Sequence, residues 1–226
     1  LVYQTSLDVC AVRSADCYGL NKNEAWSAEQ MAAKLHTFRG EIAEGFFGKC
    51  VVVVEGVGDK AIIDAWFAVR GRDPHSEGIV VADANGKNNL GKPIIVFQEL
   101  GIPCYWIFDN DRSDARKKAS DKLRENIALQ RIAAIPAEKC AEYPVGVFAN
   151  FAAWDGNPEK YVKGVSGDKF DAATQLVAAE FDVLPSDCLK FPGSSAALLK
   201  KLNADGCKFN DLDAIVEAID KMIMSG

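Results

Sequence analysis

The stretch Cys50-Val51-Val52-Val53-Val54-Glu55-Gly56-Val57-Gly58-Asp59 decides the fold class. An unbroken apolar run rich in Val, without the polar alternation of a half-exposed strand, predicts a strand buried on both faces. Such a strand needs helices above and below it. The sequence supplies them in alternation: a helical stretch over 60–69, a strand over 78–81, a helix over 92–100, a strand over 104–108, and a charged helix over 112–131. This alternation implies parallel pairing through crossover helices and an α/β layered fold. Residues 145–149 supply a further strand. Upstream, 2–5 and 9–13 read as short strands, and 28–47 as a helix with Met31, Leu35, Phe38, Ile42 and Phe46 at helical spacing. Downstream, 168–181, 194–202 and 211–224 read as helices, the last with Leu212, Ile215, Ile219 and Ile223 along one face. The expected organisation is a lead-in of strands and a helix over 1–48, an α/β core over 49–150, and a helical appendage over 151–226. Trp66, Phe67 and Trp106 are expected in the core.

Composition narrows the class. The 226 residues are 49% hydrophobic and 26% charged, as in an ordinary soluble globular protein. No apolar run approaches the roughly 20 residues of a membrane span. The seven cysteines are odd in number and scattered without a CxxC pair, and there are only two histidines, so zinc and a disulfide framework both lose support. Reduced cysteines acting as small apolar residues in a cytoplasmic protein are expected. The chain opens at Leu1 without an initiating Met, which suggests a piece of a longer protein. Its net charge of −6 argues against a basic nucleic-acid coat but leaves room for an acidic site that meets phosphates through cations.

Acidic residues gather at the expected carboxyl ends of the strands, where ligands of open α/β sheets bind. The first strand delivers Glu55, and the glycines after it allow a turn that returns Asp59 towards it. The strand over 104–108 ends in Asp109-Asn110-Asp111, whose two Asp side chains share a side if the extended period of two continues. Asp83, in Ala82-Asp83-Ala84-Asn85-Gly86-Lys87, is a weaker third signal that a turn former or helix cap explains as well. Two like charges about 4 Å apart repel by about 4 kcal/mol at an effective dielectric of about 20. Divalent cations relieve this, and carboxylates without nearby Cys or His favour magnesium or manganese over zinc.

The segments VVVVEGVGDKAIIDAWF, IVVADANGKNN and LGIPCYWIFDND together resemble the Toprim fold of topoisomerases, primases and some nucleases. With the preceding FRGEIAEGFFGKC and the Gly-Lys of ANGKNN, they resemble more narrowly the overcoming-lysogenization-defect (OLD) nucleases, over residues 38–112. The resemblance implies a Rossmann-like parallel sheet flanked by helices, with the C-terminal helices completing the site. It also implies a DNA endonuclease using two magnesium or manganese ions, and an ABC-type ATPase upstream through which the intact protein dimerises. By that resemblance Glu55, Asp59, Asp109 and Asp111 bind metal and carry the catalysis, with Asp83 a further metal contact. Asp59 stands where OLD proteins often have Glu, so one ion is held differently. Glu159, in Asn157-Pro158-Glu159, matches a further metal-binding acid, although a first-turn Glu favoured by the helix dipole fits equally. Lys190 matches a catalytic Lys, although a solvated Lys fits equally. Lys87, Arg112, Arg116 and Lys117 are expected to contact DNA. The same charged helix, with Lys118, Lys122, Arg124 and Arg131 among Asp114, Asp121 and Glu125, equally fits a salt-bridged exposed face.

The chain contains no GxxxxGK[ST], so no nucleotide cofactor is expected within it. Alternatives are a noncatalytic regulatory or nucleic-acid-binding module, a phosphoacceptor receiver, a topoisomerase or a primase. A topoisomerase needs a nucleophilic tyrosine, and nothing marks Tyr3, Tyr18, Tyr105, Tyr143 or Tyr161; a primase of this kind would carry a zinc module.

Overall fold

The structure is a computed structural model, and it describes residues 2–20, 27–34, 40–115 and 118–225. Its sheet begins with β1 (Cys50–Val54), whose five residues are fully buried. β2 (Ile79–Asp83) and β3 (Cys104–Asp109) flank it in parallel, joined through α4 (Val57–Val69) and α5 (Gly91–Glu99). Beyond β3 lie β5 (Phe151–Trp154), also parallel, and the short antiparallel β4 (Gly146–Val147) at the edge. Among the described residues the sheet has five strands in the order β2-β1-β3-β5-β4. It is therefore mixed, with an antiparallel strand at one edge of an otherwise parallel sheet.

The two-residue period divides the core. Val52, Val54, Tyr105, Ile107 and Trp154 point to one face, and Val51, Val53, Trp106, Phe108 and Phe151 to the other. The C-terminal segment α7 (Pro158–Ser166), α8 (Lys169–Phe181), α9 (Pro192–Ala204) and α10 (Asn210–Ser225) joins α4 in closing the first face. Trp66 of α4 meets Phe209 edge-on with ring centroids 5.3 Å apart, and its indole donates to Asp213 Oδ1 at 3.0 Å. Arg72 reaches both carboxylate oxygens of Asp220 at 2.9 and 2.8 Å. Trp66, Phe67 and Trp106 are core residues, as expected. Phe209→Ala should cost about 3–5 kcal/mol, read as a lower denaturant midpoint; a shift within error would show that the tail does not share the core.

The opposite face is covered by α1 (Val2–Tyr18), α2 (Ala28–Lys34), α5 and α6 (Ala119–Ile132). α1 replaces the two strands expected over 2–5 and 9–13. Its buried stripe, Leu7, Cys10, Ala11 and Cys17, has helical spacing once the cysteines count as apolar. Arg13 anchors it, with Nη1 on Glu99 Oε1 at 2.6 Å and Nη2 on the Ile132 carbonyl at 3.0 Å. The helix expected over 28–47 is divided into α2, α3 (Glu41–Glu44) and a 3₁₀ turn over Gly45–Phe47; Leu35 and Phe38 lie outside the described residues. The strand expected over 145–149 shortens to β4, and β5, with its two central alanines, carries too little β-forming character to have been anticipated. The helix expected from 112 starts only at Ala119. Asn110 Oδ1 accepts the Arg112 N–H at 3.0 Å and Asp111 takes a positive φ of 57°, so the chain turns before it winds.

Candidate active site

β1 ends by delivering Glu55 at the carboxyl edge of the sheet. Gly56 is extended there, and α4 begins at Val57. Asp59, in the first turn, accepts the Gly56 N–H through Oδ2 at 2.8 Å, which caps the helix and returns this carboxyl to the strand end. From β3, the Asp109 N–H donates to Glu55 Oε2 at 3.2 Å. Adjacent parallel strands thus bring Glu55, Asp59 and Asp109 together.

Their electrostatics are unfavourable as they stand. Burial, then the charge of Glu55, pushes the Asp59 carboxyl up to about 7, against the lowering effect of its Gly56 hydrogen bond. Burial, then Asp59, Glu55 and Asp111, pushes Asp109 up to about 9, with Lys87 pulling the other way. Asp109 Oδ1 is buried without a hydrogen-bond partner. Among the described residues no three acidic, histidine or cysteine side chains already form a cation cage. The donor chemistry nevertheless fits a hard divalent cation: these are oxygen ligands that repel one another, with one buried oxygen unsatisfied.

Asp111 behaves differently from its expected partner. β3 stops at Asp109, the alternation is broken by the positive φ at Asp111, and the Asp111 Oδ2 accepts from Lys87 Nζ at 3.0 Å. Lys87 was expected to meet DNA. Its residue is 2% exposed and its ammonium also donates to the Asp109 carbonyl and, at 2.7 Å, to Asn126 Oδ1, so it is not presented to solvent. Asp83 ends β2 level with Val54, contributes to raising Asp59, and accepts the Asn85 N–H at 3.0 Å, so it forms the turn and borders the acidic group.

The remaining expected residues lie around this edge. Arg112 is exposed, with its guanidinium over the Tyr143 ring at 5.5 Å. Arg116 and Lys117 lie outside the described residues. Lys122 is buried in α6, and the Arg131 guanidinium holds the Cys17 carbonyl at 3.2 Å. Glu159 sits in the first turn of α7, which Asn157 caps by accepting the Lys160 N–H at 2.7 Å. Lys190 is exposed and paired with Asp187 Oδ1 at 2.6 Å, which, followed by the nearby charge of Glu159, raises its pKa. The preceding Leu189 carbonyl lies 3.9 Å from where a Cβ would stand on Gly58, which sets this loop against the first turn of α4.

Sequence reasoning missed three buried amides. Asn126 donates to the Asn110 carbonyl at 2.9 Å and the Glu142 carbonyl at 2.7 Å, Asn110 donates to the Pro144 carbonyl at 3.2 Å, and Gln130 exchanges hydrogen bonds with Ala141. They bind the loop after β3 to α6. The available signal was two amides, Asn126 and Gln130, one turn apart beside the apolar Leu129 in an otherwise charged helix.

Comparison with known proteins places these features. Residues 46–111 match the family described as overcoming lysogenization defect protein-like, TOPRIM domain. The C-terminal region of the Xanthomonas campestris pv. campestris OLD protein, phased with platinum, aligns at TM-score 0.51 and 17% identity over 82% of this chain and 97% of that one. The same region phased with mercury aligns at TM-score 0.51 and 16% identity over 80% of this chain and 98% of that one. No curated protein matches. At these identities the structural likeness bears on fold, and the segment match bears on family: residues 46–111 are an OLD-like Toprim domain, set within a chain that has the fold of an OLD protein's C-terminal region.

Proposed function

We propose that this chain is the nuclease part of an OLD-type protein, a magnesium- or manganese-dependent endonuclease cleaving DNA phosphodiester bonds with two ions. The observation that carries this reading is the convergence of Glu55, Asp59 and Asp109 at the carboxyl ends of β1 and β3, with Asp109 Oδ1 buried and unpartnered. Glu55, Asp59 and Asp109 would hold one ion, and Asp111, Asp83 and Glu159 are the acids available to a second. Bound divalent ions would supply activation of the attacking water and neutralisation of charge on the leaving oxygen. The chain's own groups position these events: the Gly56 and Asp109 amides fix the Asp59 and Glu55 carboxyls, and Lys190 offers an exposed ammonium to phosphate charge. Exposed Arg112, and Arg116 and Lys117 in the same segment, are proposed to meet the DNA backbone.

An upstream ATPase and dimerisation through it belong to the same proposal, as does a cytoplasmic setting. Among the described residues no helix is long and apolar enough to cross a membrane. The purified chain should nick or linearise plasmid DNA with manganese or magnesium, stop with EDTA and ignore added ATP. A strict ATP requirement would overturn the division of labour between the two parts, and no cleavage under any metal or salt condition would favour a noncatalytic binding module. Lys190→Ala should slow cleavage, by about a hundredfold, and leave metal binding unchanged. A normal rate would remove Lys190 alone from the mechanism.

A further inference from the structure

Trp154 ends β5 directly beside Asp109, the last residue of β3. Partners in register on neighbouring parallel strands share a face of the sheet. These two strands do so throughout: Trp106 and Phe151 lie on the second face, Ile107 and Ala152 on the first. Trp154 belongs to the first-face core, so by the same alternation Asp109 projects to the side that α4 covers. Strands lie about 4.8 Å apart, which is within the span of an indole. Both residues carry a buried side-chain atom without a hydrogen-bond partner. Asp109 Oδ1 is an acceptor when the carboxyl is ionised, and Trp154 Nε1, on a residue 5% exposed, can only donate. The fold holds the indole in place from both ends. Its own carbonyl accepts the Asn110 N–H at 3.0 Å, and Tyr161 of α7 packs on its ring with centroids 4.8 Å apart. The Tyr161 hydroxyl accepts the Asp211 N–H at 3.0 Å, in the first turn of α10.

Resting on the reading of this edge as a metal centre, we propose that Trp154 is a positioning residue for Asp109: its indole N–H holds Asp109 Oδ1 through one shared water and turns the other carboxylate oxygen to a divalent ion. A buried donor and a buried acceptor on adjacent strands are complementary, and a bridging water serves them nearly as well as a direct bond. A carboxylate ligand fixed by an outer hydrogen bond holds its metal more tightly. The indole is neutral, so it orients the carboxylate without competing with the cation for its charge, as an ammonium would. Through Tyr161 and Asp211 the same contact ties the metal edge to the C-terminal helices.

The test follows the indole N–H resonances of the full chain by nuclear magnetic resonance, assigned by replacing the tryptophans one at a time, and manganese binding by the electron paramagnetic resonance signal of free Mn2+. Neither readout depends on cleavage. Without metal, Asp109→Ala should move the Trp154 indole proton upfield, as a lost hydrogen bond does, and leave that of Trp106 in place. Magnesium added to the unaltered chain should shift the Trp154 resonance and leave that of Trp106 unchanged. Trp154→Phe should weaken manganese binding by about tenfold. Trp106→Phe removes an equally unpartnered buried indole N–H from the opposite face and should change binding by less than threefold. Should Trp154→Phe fail to fold, the response of the indole resonance to Asp109→Ala decides alone. A Trp154 resonance indifferent to Asp109→Ala, or equal losses of manganese affinity in the two Trp variants, would overturn the role of Trp154 and leave the metal centre standing. No manganese bound by the unaltered chain would overturn both.

Discussion

Glu55→Ala and Asp109→Ala are each expected to abolish strand cleavage while leaving the fold intact. Neither side chain supports the hydrophobic core: the strands beneath them are held by Val51, Val53, Trp106 and Phe108 on one face and Val52, Val54, Tyr105 and Ile107 on the other, all buried. What each does hold is the acidic group. Glu55 accepts the Asp109 amide and adds to the charge that raises both aspartates, and Asp109 carries the buried unpartnered oxygen. Loss of a group that merely orients a metal ligand costs about 10–100-fold in affinity or activity. Removal of a ligand itself should therefore cost more than about a hundredfold. Plasmid nicking in manganese, read beside far-ultraviolet circular dichroism, measures both halves of the expectation. Near-normal nicking by the Asp109 variant would sink the proposed chemistry, and loss of the circular dichroism signal would show the acids to be structural.

The second large effect is on stability, and its sign follows from the raised carboxyls. Asp59 and Asp109 have ordinary values of 3.8 and stand at about 7 and about 9 in the folded chain. Between these limits the folded chain holds protons that the unfolded chain has released. Their contribution to stability is complete below about pH 4 and is lost as the pH rises through about 7 and then about 9. In EDTA the melting temperature should therefore fall on the alkaline side. Magnesium or manganese should restore it, with a larger increment near pH 9 than near pH 5, because cations take over charge compensation that protons provide in acid. Asp109→Asn removes the group whose ionisation is most costly. It should raise the melting temperature in EDTA near pH 9, shrink the metal-dependent increment and eliminate cleavage, so that stability and activity move in opposite directions. A melting temperature independent of pH from about 5 to about 9 in EDTA would refute the strained carboxylate group.

The parts of the fold that were legible are those governed by local period and strand ends. A Val run without alternation has to be buried on both faces, and apolar stretches alternating at helical and strand lengths have to pack as layers; β1, β2, β3, α4 and α5 followed. Glu55 and Asp59 were legible for the same reason, since a strand that ends at Val54 and a helix that starts at Val57 leave Glu55 in the short turn between them and Asp59 in the first turn of the helix. α1 was misread because cysteine forms half of its buried stripe, and β5 because four residues with central alanines have no period to read.

By itself, then, the sequence determined the layered α/β fold and the edge of the sheet at which the acids collect, because burial of a continuous apolar strand and the positions of its ends are properties of neighbouring residues. Only the tertiary structure decided which acids converge. The direction of Asp111 depends on a positive φ and on Lys87, 24 positions away, and Lys87 depends in turn on Asn126, another 39 positions along the chain. A buried ammonium is tolerable only where oxygens already wait for it. No local pattern shows that a lysine in a glycine turn, an aspartate past a strand end and an asparagine in a charged helix will meet, and that meeting buries Lys87 and pairs it with Asp111.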